Sequence, residues 1–85
     1  SLSAWYVMNA IGLYSFSPAD AEYLVTVPVF DKVVLEVGDK TFTITRNGTG
    51  RKLTAIACDG EPLNGYFITH DQLKTGNGLV ITTAE

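Results

Sequence analysis

The stretch Lys32–Thr45, KVVLEVGDKTFTIT, sets the reading of the chain. Two runs rich in β-branched and aromatic residues flank the pair Gly38-Asp39. Glycine at the first central position suits a type II′ turn, whose twist matches that of the strands it joins. Val33, Leu35 and Val37 then share one face of the first strand, and Phe42 and Ile44 one face of the second, with Thr41, Thr43 and Thr45 opposite. Side chains alternate across a strand, so the pattern predicts a β-hairpin with one apolar face.

Reading outward, Glu22–Pro28, EYLVTVP, alternates in the same way and is stopped by Pro28. Arg46–Arg51, RNGTGR, is a Gly-rich connection, and Lys52–Cys58 reads as a further strand closed by a turn at Asp59-Gly60. In ITHDQLKTG, Thr69 is a good N-cap and Gln72 stands three residues on, the spacing of a capping box. Ile68 and Leu73 have the spacing of a hydrophobic staple, and Gly76 can stop the helix, so Thr69–Thr75 is predicted as one or two helical turns. Leu79–Thr83 is the last predicted strand.

The other end of the chain is different. Leu2–Tyr14, LSAWYVMNAIGLY, is apolar except for Ser3, Asn9 and Gly12, which do not form a polar stripe. At about 13 residues it is shorter than the ~20 needed to cross a bilayer. No initiator Met and no basic stretch precedes it, which argues against a secretory leader. It reads as a helix buried on most sides, the end of something larger. The resulting expectation is an α+β fold: an antiparallel β-sheet of about five strands packed with the N-terminal helix and one short helix in two layers, with a small β-sandwich as the alternative. Residues 1–14 would be a buried helix that belongs to something larger, and 15–85 a small α+β domain. Cut free, the helix would expose an apolar patch through which the chain would form a homo-oligomer.

Composition narrows the function. Six basic against nine acidic residues give a net charge of −3 with no Lys/Arg cluster, which argues against nucleic acid as a partner. The single cysteine, Cys58, cannot form an internal disulfide and reads as a small buried hydrophobe. Asn47-Gly48-Thr49 matches a glycosylation acceptor but reads as a turn, because Asn-Gly between strands is itself a turn signal. His70, the only histidine, invites a catalytic reading beside Asp71, yet its place at the helix start makes it an exposed first-turn residue. No second histidine stands at zinc-ligand spacing. The pairs Asp20/Glu22 and Asp59/Glu61 could in principle serve glycoside hydrolysis, which needs two carboxylates across one bond, but both lie in turn-rich sequence where solvated acids are ordinary. Tyr14, Phe16, Tyr66 and Phe67 are the aromatic residues that a stand-alone carbohydrate- or protein-binding module would use.

SAWYVMNAIGLY, then EYLVTVPVFDK, then YFITHDQLKTGNGLVIT together resemble the C-terminal region of glycoside hydrolase family 92, the bacterial α-1,2-mannosidases. Ser3, Ala4, Trp5, Tyr6, Ala10, Gly12 and Tyr14 match the first family pattern, S-A-W-Y-x-x-x-A-x-G-F-Y-P, with Leu13 in place of Phe and Ser15 in place of Pro. Glu22, Tyr23, Pro28, Phe30, Asp31 and Lys32 match the second, with Thr26 in place of its Gly. The resemblance implies a calcium-dependent, inverting, exo-acting glycosidase that removes terminal α-mannosyl residues from glycans. It implies that the SAWY helix closes a helical catalytic domain, and that the general acid (a glutamate) and the base (an aspartate in an acidic Gly-rich motif) lie upstream of Ser3. No catalytic and no calcium-binding residue is therefore assigned to this chain. Trp5, a few positions after that motif, is the one candidate for positioning the base, with plain core packing as the alternative. The resemblance further implies a parent protein in the periplasm, on the outer membrane or secreted, with the upstream catalytic domain and mannose-containing glycans as its partners and no membrane span in this segment.

Overall fold

The computed structural model describes residues 11–17 and 22–85. The predicted hairpin forms as read. β3 (Lys32–Val37) and β4 (Lys40–Asn47) are antiparallel, with Leu35 opposite Phe42 and Val37 opposite Lys40. Gly38 has φ +63°, and Asp39 is not among the residues with positive φ. Positive φ at the first central residue alone is the mark of type II′ rather than I′.

Around the hairpin the architecture departs from the expected single antiparallel sheet of about five strands. Eight strands are present among the described residues, in two sheets. β1 (Leu13–Ser17), β2 (Glu22–Val25) and β7 (Phe67–Thr69) form an antiparallel three-stranded sheet in the order β1-β2-β7. The second sheet runs β3-β4-β8-β5-β6, with β5 at Lys52–Cys58, β6 at Glu61–Pro62 and β8 at Gly78–Ala84. A short helix, α1 (His70–Thr75), joins β7 to β8. The chain is thus a mostly β domain with one short helix among its described residues.

Three differences have physical causes. First, the helix expected to reach Tyr14 ends at Gly12. Ile11 is the last helical residue, Gly12 turns with φ +89°, and Leu13 and Tyr14 pair with Val25 and Leu24 of β2. Left-handed glycine is the usual helix stop, and here the Gly12 carbonyl is taken by the Thr26 N–H at 2.8 Å. The predicted helix from Ser3 to Ala10 lies outside the described residues. Second, β6 and β7 have two and three residues, too few to show a period. Third, β8 inserts between β4 and β5, parallel to β4 and antiparallel to β5. The 48–51 link must therefore cross the end of β8, a span of two strand spacings or roughly 10 Å. Its glycines fit that passage: a Cβ on Gly48 would overlap the Thr83 carbonyl, and one on Gly50 the Ala84 carbonyl.

The two sheets feed one core. Phe42, Ile44, Ile56, Cys58, Leu79 and Ile81 come from the larger sheet and Leu13, Val25 and Ile68 from the smaller, all buried in one cluster with Ile11 and Leu73. α1 carries the predicted capping box in full. The Gln72 N–H donates to Thr69 Oγ1 at 3.0 Å, and the Thr69 N–H donates to Gln72 Oε1 at 2.8 Å. Gly76 ends the helix in extended conformation with its N–H on the Gln72 carbonyl. It is required for space: a Cβ there would stand 2.6 Å from that oxygen.

Candidate functional site

The residues that carry the family-like patterns take part in holding this fold together. Tyr23 on β2 lies opposite Ile68, and its hydroxyl stands 3.1 Å from Nδ1 of His70, with ring centroids 6.2 Å apart. That contact ties the first residue of α1 to β2. His70 is exposed, and Asp71 beside it lies in the first helical turn, where negative charge meets the positive end of the helix dipole.

Pro28 and Asp31, the third and last residues of the link between β2 and β3, are held by Arg46. The guanidinium donates to the Pro28 carbonyl at 3.1 Å and to Asp31 Oδ1 at 2.8 Å, and the Arg46 N–H donates to the Asp31 carbonyl at 2.8 Å. The Arg46 side chain is 18% exposed against 83% for Asp31, so the carbonyl bond is the better shielded of the two. Arg46 Nε is buried without a hydrogen-bond partner. The sequence reading did not single out Arg46. Its signal was parity: it continues the inward series Phe42, Ile44 on β4, where a charge calls for a partner.

Asp59, read as half of a carboxylate pair, is a strand clamp. Its carboxylate accepts from the Asn77 N–H at 2.9 Å and the Gly78 N–H at 3.1 Å, and its own N–H donates to the Gly78 carbonyl at 3.0 Å. Asp59 and Gly60, at φ +51° and +83°, make the turn that pairs Cys58 with Glu61. Burial pushes the Cys58 thiol pKa up, and the Asp59 charge adds to it. The other pair cannot be assembled from the described residues, because Asp20 lies outside them, as does Trp5.

None of the clefts at the II′ turn, beside Tyr66, at 49–52 or between Asp59 and β8 brings two carboxylate side chains together. The cleft between the II′ turn and α1, about 570 Å³, has Asp39 as its one acid, among Lys40, Lys74 and His70. Tyr66 borders a cleft of about 150 Å³, below the ~300–1,000 Å³ of small-molecule sites. Tyr66 and Phe67 are exposed, while the side chains of Tyr14 and Phe16 lie outside the described set. No group of three or more His, Cys, Asp or Glu that could hold a metal ion occurs among the described residues. No described helix is long and apolar enough to cross a membrane.

The model of the glycosyl hydrolase family 92 catalytic domain matches residues 1–85. The chain belongs to glycosyl hydrolase family 92. No match was found among curated proteins. Among solved structures, a family 92 inverting mannosidase from Bacteroides thetaiotaomicron superposes with a TM-score of 0.86 at 30% identity over 95% of this chain. A second family 92 α-mannosidase from the same organism, solved with mannoimidazole, gives 0.88 over 98% at 21% identity. The chain spans 12% of the first structure's length and 11% of the second's. The pattern residues Tyr23, Pro28 and Asp31, together with His70, form contacts between elements of this fold.

Proposed function

We propose that this chain is the C-terminal structural segment of a calcium-dependent, inverting exo-α-mannosidase that hydrolyses terminal, α-1,2-linked mannosyl residues of glycans. The observation that carries the reading is the superposition at 30% identity on an inverting mannosidase of which the chain spans 12%. The upstream part of the parent supplies the general acid, the base that activates water, and the calcium ligands. This segment supplies the closing helix, which ends at Gly12, and a small domain that begins with β1 at Leu13 and braces the catalytic domain. Trp5 either positions the base or packs in the core beneath it. The parent works outside the bacterial cytoplasm, where it meets mannose-containing glycans.

The test is hydrolysis of an α-1,2-mannobioside by the full-length protein, followed by proton NMR. An inverting reaction releases β-mannose first, because water attacks the face opposite the leaving group. Initial release of α-mannose, or full activity after exhaustive calcium chelation, would overturn the corresponding part of the proposal. The segment alone is expected to be silent on the same substrate, and turnover by it would require an acid and a base that this reading places upstream.

A further inference from the structure

The link Pro28–Asp31 is built unlike an ordinary surface loop. Pro28 is buried and packs close to Gly12, where an added Cβ would stand 3.2 Å from the proline ring. Arg46 fixes the Pro28 carbonyl at one end, and the Asp31 carboxylate and carbonyl at the other. Between these fixed points stand Val29 and Phe30, 67% and 54% exposed. Loops are normally polar and mobile, and single exposed apolar residues are commonplace. Two adjacent large apolar side chains on a loop held at both ends are different: their ordering entropy is already spent in the fold, the condition under which aromatic anchors bind well.

We propose that Val29 and Phe30 form a preset apolar knob that docks against the remainder of the family 92 catalytic domain in the full-length protein. The inference rests on the reading above, that this chain is a segment of a larger enzyme. The occupant is argued from length and connection. The chain matches 11–12% of the solved mannosidases it superposes on, and the matching model describes a catalytic domain. The remaining polypeptide is covalently tethered, so its effective concentration at the knob is of order millimolar and exceeds that of a second copy in dilute solution. Pro28, which immediately precedes the knob, packs close to Gly12, the point at which the chain enters β1.

The test is cysteine accessibility in the full-length protein, read site by site by mass spectrometry after maleimide labelling. Val29→Cys is compared with Val34→Cys, which lies on β3 and is 54% exposed. Docking predicts native labelling at position 29 at least ~10-fold slower than at position 34, with equal rates in urea. Adding Phe30→Asp to Val29→Cys should restore fast labelling. Equal native rates at the two positions overturn the proposal. Protection that vanishes on dilution from about 100 to about 1 μM overturns it in favour of a second copy. Mannoside hydrolysis is measured on the same preparations. Hydrolysis with equal labelling rates overturns the docking and leaves the enzyme reading standing, while protection without hydrolysis supports the docking and overturns that reading.

Discussion

Replacing Arg46 with methionine isolates the clamp on the β2–β3 link. Methionine keeps the apolar stem in place and removes the guanidinium. Two polar contacts are lost, and they are unequal. The ion pair with Asp31 is largely in water, since the Asp31 side chain is 83% exposed, and exposed pairs are worth ~0.2–1 kcal/mol. The bond to the Pro28 carbonyl is made by a side chain only 18% exposed and leaves an acceptor on a buried residue unsatisfied. A charge-assisted bond of that kind contributes ~1.5–3 kcal/mol before allowance for residual solvent. The sum is about 2 kcal/mol, most of it from the carbonyl. In urea, with a slope near ~1 kcal/mol/M, the unfolding midpoint by far-UV circular dichroism should fall by roughly 2 M. Asp31→Asn should cost about a quarter of that, and high salt should weaken only the Asp31 share. A loss below about 0.5 kcal/mol in Arg46→Met, or equal losses in the two variants, would refute the argument that the shielded carbonyl bond dominates.

Gly50→Ala should destabilise by about 2 kcal/mol, because the cheapest relief of its overlap with the Ala84 carbonyl is to peel the end of β8 from Lys52 at the cost of one or two ladder bonds. Gly65→Ala, with nothing within 4 Å of its added Cβ, should stay within about 0.5 kcal/mol of the parent in the same urea titration. The raised Cys58 pKa has a defined sign: its stabilising contribution is complete below the unfolded-chain value, which lies near 9.0, and is lost as pH climbs through the higher folded value. Melting temperature should therefore fall more steeply above pH ~9 in the parent than in Cys58→Val, and parallel curves would contradict the assignment. Light scattering on the isolated segment at roughly 100 μM should show self-association through the apolar residues of 2–10, since Ile11 and Leu13 are already buried in the core, and a clean monomer would contradict the expectation drawn from that run.

What was legible in the sequence was local. The II′ hairpin is set by Gly38-Asp39 and the alternation on either side, and α1 by Thr69 and Gln72 three residues apart. Both signals lie within a few residues of the structure they specify. The insertion of β8 between β4 and β5 was not legible, because Leu79–Thr83 alternates in the same way whichever strands flank it. β1 was lost for a different reason: the apolar run carried the helical reading past Gly12, although a glycine followed by the alternating Leu13–Ser17 was itself the stop signal. At the site, types and spacing could place Asp59 beside Glu61 but could not show that the Asp59 oxygens face the backbone N–H groups of Asn77 and Gly78, eighteen and nineteen residues on. Arg46 was visible only as a charge on the inward parity of β4, and its partners, fifteen and eighteen residues back, became apparent when the sheet formed. The family patterns identified the chain, and only the geometry assigned their residues to holding the fold.

The central claim is that residues 22–85 brace a family 92 enzyme without supplying its acid or base. Its most direct test is kcat/KM on an α-mannoside for the full-length protein, with each Asp and Glu in that range changed in turn to its amide and folding checked by circular dichroism. The account predicts that every folded variant stays within about threefold of the parent, whereas a loss of ~10²–10⁴-fold at any one of these positions, the size expected when a general acid or base is removed, would contradict it.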